Sequence, residues 1–293
     1  MIRRPPRSTP VTPRRQRQMC IRDRAEAIRP NTRMIYCESV SNPLLEVADI
    51  STLSRLGKSS NIPLVVDNTF TPLSIAPAKL GADIVIHSLT KFINGTSDTV
   101  AGAVCASTEF CLALKDVNDG AGMLLGSTMD SLRAASVLKN MRTLHLRMQK
   151  HSQNAMYLAK KFEELGLRVV YPGLPSHPGH QLMKKQFVPS FGFGGILTLD
   201  AGTLDNANAL MELMQKDSLG YLAVSLGFYK TLFSAPGAST SSEIPEEEQK
   251  EMGLGEGLIR FSIGLDSNIE RTFQRMKACV QSLGIAPEHA ISS

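Results

Sequence analysis

The chain alternates short, nearly continuous apolar runs with longer stretches whose apolar residues recur at three- and four-residue intervals. The runs predict strands at Thr32–Val40, Ile62–Asn68, Ala82–Ser88 and Thr99–Ser107, and again at Arg168–Tyr171, Phe193–Leu199 and Leu258–Gly264. Unbroken rather than alternating apolarity is what a strand covered on both faces requires. The periodic stretches predict helices at Asp49–Ser60, with Asp49 as N-cap, and more briefly at Ser74–Leu80. Thr128–Leu165 is helical in pattern with a break near Arg142–His145. Leu204–Gln215 is a further helix, and Ile269–Leu283 closes the chain with Phe273, Met276, Val280 and Leu283 inward. Loop punctuation falls at Ser41-Asn42-Pro43 and over the Pro/Gly/His stretch Gly173–His180, and Glu246–Lys250 reads as a solvated surface. Apolar strands separated by helices predict a parallel, doubly covered α/β sheet in the first half. Chemistry in such a sheet sits at the strands' C-terminal ends, where Asn42, Asp67 and Ser88 fall. The second half predicts a smaller α/β unit.

Composition narrows the class. With 42% hydrophobic and 20% charged residues in 293, the chain is globular. No apolar run approaches the roughly 20 residues that span a bilayer, so no membrane partner is expected. Five cysteines, at 20, 37, 105, 111 and 279, show neither pairing nor metal spacing and suit a reducing compartment, which predicts a cytoplasmic protein. His177 and His180 stand close together, but nothing supplies further ligands at sensible spacing, so no metal is predicted.

The formal charge of +5 is misleading. Residues 1–24 hold eight arginines and one aspartate, a net of +7, which leaves −2 on the remaining 269 residues. An Arg/Pro/Ser-rich tail reads as a nucleic-acid arm or as an organelle transit peptide. A third reading fits better: the tail lacks amphipathic periodicity, and IRRPPRST and MCIRDR resemble translated sequencing-adaptor read-through. The tail is therefore left out of the fold, and no nucleic-acid partner is predicted.

The densest chemical signal is ADIVIHSLTKFINGTSDTVAG, residues 82–102. A strand runs straight into Ser88-Leu89-Thr90-Lys91, with Gly95 and Gly102 shortly after. A lysine amine just past a strand end can form a Schiff base with a carbonyl, above all pyridoxal 5′-phosphate, and flanking hydroxyls can hold a phosphate. An isolated lysine is ordinarily a solvated charge; its surroundings decide otherwise here. Asp67 ends a buried apolar strand, where a carboxylate is costly without a partner. Arg260 sits in the apolar strand GLIRFSIG and demands an anion, best a carboxylate matched by its fork.

These passages closely resemble the Cys/Met-metabolism PLP enzymes, which include cystathionine lyases and synthases, O-acetylhomoserine sulfhydrylases and methionine γ-lyase. The resemblance runs from about Ala25 to about Leu283. VVDNTFTP, AGMLLGSTM, RMQKHSQNA, YPGLPSHPGH, AVSLGFYKTL and GASTSSE carry a likeness to the methionine γ-lyase branch in particular. It implies the fold type I, aspartate-aminotransferase-like architecture. On that basis 25–140 is a partial large domain with a mostly parallel sheet, 141–285 is a smaller C-terminal α/β domain, and 1–24 and 286–293 are tails. It implies Lys91 as the Schiff-base lysine and proton shuttle, and Asp67 as partner of the cofactor ring nitrogen. By the same resemblance Asn42 meets the ring's phenolic oxygen, and Ser88 and Thr90 bind its phosphate. Arg260 takes the substrate's α-carboxylate with help from Ser225. The implied partners are a sulfur amino acid and further copies of the chain, as a dimer of dimers.

Departures from the family pattern bear on these expectations. Gly95-Thr96-Ser97-Asp98 stands where many relatives read Gly-His-Ser-Asp. Lys230 stands where relatives carry an acidic residue near the substrate side chain, which reverses a charge. The family's ring-stacking tyrosine, its backbone phosphate loop, and a tyrosine and arginine lent by a neighbouring subunit belong to an N-terminal portion with no counterpart here. The expectation is a fragment joined to foreign sequence, derived from a lyase and either active or an inactive domain without cofactor.

Overall fold

The structure is a computed structural model that describes residues 25–237 and 254–285. The tails and Glu246–Lys250 lie outside the described residues, as does all of GASTSSE but its first glycine. Two sheets organise the described chain. The first has the order β1-β2-β3-β4, formed by Ile35–Glu38, Leu64–Asp67, Ile84–Ser88 and Gly102–Cys105. β1, β2 and β3 are parallel, as the apolar runs predict, whereas β4 returns antiparallel with Ser88 opposite Gly102. The sheet is therefore mostly parallel, as the family resemblance implies. Double cover also fails at its edges: β2 is buried, but Tyr36 on β1 and Val104 on β4 are 55% and 48% exposed.

Local chemistry accounts for the elements. Helix α1 (Ile50–Ser59) starts where the Asp49 carboxylate accepts the Thr52 N–H, as a capping aspartate should. The expected helix before β3 is a single 3₁₀ turn, Pro77–Leu80. Two short helices, α2 (Thr108–Ala113) and α3 (Ala121–Leu124), precede α4 (Ser131–Met141) and α5 (Leu144–Glu164), and the gap between the last two falls at the predicted break. α6 (His180–Gln186), α7 (Leu204–Lys216) and α8 (Ile269–Ser282) follow in the second half.

The second sheet has the order β5-β6-β9-β8-β7, formed by Val169–Val170, Ile196–Asp200, Leu258–Ser262, Leu232–Ser234 and Tyr221–Leu222 in that spatial order. β9 is buried at all five positions, and its pairing with β6 and β8 is antiparallel. Each sheet has its own apolar core. Val66, Ile75 and Phe92 belong to the first core, and Phe162, Leu199, Phe261 and Met276 to the second. The long helix α5 serves both: Leu144 and Met148 pack in the first core, and Ala155, Leu158 and Phe162 in the second. α8 turns Phe273, Met276, Cys279 and Val280 into the second core, with Leu283 partly buried against it.

Candidate active site

Lys91 lies in a π-helical turn, Leu89–Ile93, that begins directly at the end of β3. Within the turn Lys91 leaves helical geometry, at φ −89° and ψ −130°. Its half-buried amine donates to Ser225 Oγ at 3.0 Å. Burial, and secondarily the charge of Arg260, hold the amine's proton affinity below that of a free lysine. This favours the neutral, nucleophilic form.

Ser225 lies in the loop before β8, which is pressed against the lysine turn. A Cβ on Gly227 would stand 2.3 Å from Phe92 N, so only glycine admits that approach, and its φ of +75° adds a second reason. Gly227 N–H donates to Ser262 Oγ at 2.8 Å, fastening the loop to the end of β9.

Arg260, in the middle of β9, is 2% exposed. Its Nη1 donates to Asn42 Oδ1 at 2.9 Å, and Nη2 reaches the carbonyls of Val224 and Ser225 at 3.3 and 3.4 Å. Among the described residues no carboxylate pairs with it, and burial depresses its proton affinity. A buried cation on neutral acceptors alone is a site prepared for an anion. Lys91, Ser225, Arg260 and Asn42 thus form one hydrogen-bonded chain.

A second group lies at the ends of β2 and β3. Asp67, the last residue of β2, accepts Thr69 N–H through Oδ1 (2.9 Å) and Tyr36 O–H through Oδ2 (3.3 Å). Thr69 Oγ1 in turn accepts Ser88 N–H at 2.9 Å, while the Ser88 hydroxyl has no partner among the described residues. Beside them Glu38 accepts Asn42 N–H at 2.7 Å, and burial, with the neighbouring Asp67 charge, raises its proton affinity. Burial, then the charges of Asp67 and Glu38, push the Tyr36 phenol up to about 12, so it remains a donor.

Several predicted residues are placed differently from expectation. The Ser225 side chain meets Lys91, and only its carbonyl meets Arg260. The Asn42 side-chain oxygen is on Arg260. Thr90 stands apart from both groups, its hydroxyl exchanging hydrogen bonds with the Ala101 backbone at 2.9 and 3.3 Å. Lys230 is on the surface, donating to Tyr221 O–H at 3.0 Å. His177 and His180 spend their ring nitrogens on backbone groups of Leu45, Gly179 and Pro172. Sequence reasoning missed Tyr36, Glu38, Thr69 and Ser262. It also missed a row on α5 formed by Arg147, His151 and Asn154, whose polar residues at i, i+4 and i+7 among buried apolar neighbours were the available signal.

A profile of the family described as Cys/Met metabolism PLP-dependent enzyme matches residues 11–272. The chain belongs to that family. Methionine gamma-lyase of Arabidopsis thaliana is 43% identical over 247 residues, which is 84% of this chain and 56% of that protein. Cystathionine gamma-lyase of Bacillus subtilis is 39% identical over 245 residues, 82% of this chain and 62% of that protein. The chain therefore spans about 56–62% of these relatives' lengths. Crystal structures of cystathionine gamma-lyase from Lactobacillus plantarum, complexed with L-serine, and cystathionine gamma synthase from Xanthomonas oryzae pv. oryzae, in complex with aminoacrylate and cysteine, superpose with TM-scores of 0.79 each. They are 29% and 32% identical, covering 89% and 86% of this chain and 68% and 64% of those chains. The architecture is that of the fold type I PLP enzymes.

The family's cofactor, pyridoxal 5′-phosphate, fits the residues present. An amine held toward neutrality faces an aldehyde's chemistry, a strand-end carboxylate at Asp67 suits a protonated ring nitrogen, and the uncommitted Ser88 hydroxyl suits a phosphate oxygen. Thr90 fits less well, because its hydroxyl already serves Ala101.

Proposed function

We propose that this protein is a carbon–sulfur lyase that converts L-methionine and water into methanethiol, 2-oxobutanoate and ammonia. The observation that carries the reading is the chain Lys91–Ser225–Arg260, in which an amine and a buried guanidinium without a described acid are joined through one serine. Arg260 binds the substrate's α-carboxylate and so orients the amino acid. Asn42, held by Glu38 and Arg260, lines the same place. Lys91 would hold the cofactor, and its amine, once free, would take the proton from the substrate α-carbon and hand protons back as the thiolate departs. Ser225 Oγ keeps the released amine aimed at that carbon. Asp67 keeps the ring nitrogen protonated, and Ser88 binds the phosphate. Bound pyridoxal 5′-phosphate supplies the electron sink for the α-carbon's charge.

Methionine is supported by the 43% identity to the methionine gamma-lyase of Arabidopsis thaliana. A second reading, cleavage of cystathionine, is supported by the 39% identity to the cystathionine gamma-lyase of Bacillus subtilis. The protein is expected to be cytoplasmic and to work as a homo-oligomer.

The test supplies methionine and cystathionine separately, with pyridoxal 5′-phosphate, and assays thiol and keto acid. Methanethiol from methionine supports the first reading; turnover of cystathionine alone supports the second. Lys91→Ala is expected to lower either rate by about 10³-fold or more. Unchanged turnover in Lys91→Ala would remove the lysine from the mechanism.

A further inference from the structure

We infer that Arg147 is a positioning residue for Lys91, and that α5 fixes the reach between the lysine turn and the strand that carries Arg260. The inference rests on reading Lys91 as the cofactor lysine.

Arg147 is a cation without a carboxylate partner among the described residues. All three of its guanidinium nitrogens instead donate to backbone carbonyls or a hydroxyl. Nη1 donates to Phe92 O; Nη2 donates to Ile93 O at 2.8 Å and to Asn140 O at 3.1 Å; Nε donates to Thr143 Oγ1 at 3.1 Å. Phe92 and Ile93 are the two residues that follow Lys91 in its π-turn. A planar fork can hold two adjacent carbonyls at once, which a lysine ammonium on a flexible stem does less well. The turn leaves space for this fork, since a Cβ on Gly95 would lie 2.5 Å from Arg147 Nη1. Asn140 completes the clasp, donating from Nδ2 to Asn94 Oδ1 at 2.8 Å.

The same helix face reaches the other half of the site. His151, one turn on, meets the Ile263 carbonyl through Nδ1 at 2.6 Å, and its ring stands edge-on to Phe92 with centroids 5.1 Å apart. Asn154 donates to the carbonyls of Gly264 and Asp266, each at 2.9 Å. Ile263 directly follows β9. At about 1.5 Å per residue, the seven residues from Arg147 to Asn154 set a rigid spacing of about 10 Å. One end of that spacing grips the turn of Lys91, and the other grips the segment that directly follows the strand of Arg260. The Lys91 amine must reach the α-carbon of an amino acid whose carboxylate is on Arg260, so a fixed spacing has a direct chemical use.

The test compares wild type, Arg147→Lys and Arg147→Met in the full chain by two measurements. The first is hydrogen exchange without cofactor at the Asn94 and Gly95 amides, which donate to Leu89 O and Lys91 O inside the turn. The second is the rate of covalent cofactor capture and the absorbance maximum of the captured form. Arg147→Lys should exchange about tenfold faster at these two amides, as expected for losing a charge-assisted bond, with the amides of α7 unchanged. Capture should slow about tenfold and the absorbance maximum should shift, with Arg147→Met affected more and the lysine variant in between. Exchange within twofold of wild type at Asn94 and Gly95 would overturn the inference. So would an equal rise throughout the molecule, because that is general destabilisation. If Arg147→Met does not fold, Arg147→Lys decides. If the wild type captures no cofactor, the reading of Lys91 fails, and the exchange ratio still decides whether Arg147 holds the turn.

Discussion

The two halves of the candidate site are built to different degrees of closure. The carboxylate side, around Arg260, is enclosed: β9 is buried at every position, lies between β6 and β8, and is fastened at its end by Ser262, His151 and Asn154. The ring side, around Asp67, is open. Among the described residues its neighbouring strands β1 and β4 are sheet edges, and Tyr36, which donates to Asp67, is 55% exposed. Polar groups on the closed side cannot exchange with water, so each change there is felt in full. On the open side water substitutes for lost partners, so equivalent changes are small. On the proposed reading the closed side would set the geometry of the substrate, and the open side would depend on what covers the sheet.

The sharpest way to break this comparison is Arg260→Leu. Losing a charged hydrogen-bond pair to the carboxylate should raise KM for the amino acid about 100-fold. The melting temperature should fall only modestly, because removing a desolvated cation offsets the acceptors left unpaired on Asn42, Val224 and Ser225. A KM within threefold of wild type would show that the carboxylate is held elsewhere.

Acid should act through the closed side as well. Burial pushes the His151 imidazole down to about 4, from an ordinary value of 6.5. Between those values the unfolded chain binds a proton that the folded one refuses, so stability rises with pH across the window and is lost on acidification. The loss attributable to His151 from pH 6.5 to 4 should be roughly 3 kcal/mol, read by chemical denaturation at each pH. His87 and His177 are shifted the same way by burial, so His151→Gln should reduce the slope rather than abolish it. A slope identical in wild type and His151→Gln would refute the assignment.

The smallest effect should fall on the open side. Tyr36→Phe removes one exposed hydrogen bond of 3.3 Å from Asp67. Cofactor affinity, measured by absorbance titration, should weaken by no more than about fivefold. A loss of 100-fold would mean that the ring side is as closed as the carboxylate side.

Much of this was legible along the chain, and the failures have common causes. Asp49 as a cap, the break in the helices near Arg142–His145 and the strand-end positions of Asp67 and Ser88 follow from local signals, and all are present. β7 escaped because its two residues are exposed rather than part of a buried apolar run, and β8 because its three buried residues end in a serine and follow a threonine instead of standing in a longer apolar run. The reversal of β4 escaped because the pairing direction depends on where the chain emerges from the lysine turn. Arg260 announced itself as a cation inside an apolar strand, but its contact with Asn42, 218 residues away, had no sequence signature. Arg147 and His151 were visible as letters in RMQKHSQNA, yet nothing local says which carbonyls they reach.

The sequence by itself marked the family through its motifs, the lysine at the end of β3, the arginine inside an apolar strand and most elements, because burial period, capping and motif spacing are local properties. Tertiary structure decided the hydroxyl that meets Lys91, the commitment of Thr90 to Ala101, and the helix face that joins the lysine turn to the arginine strand. Those are distances between segments remote in sequence, set by how two cores pack against one long helix.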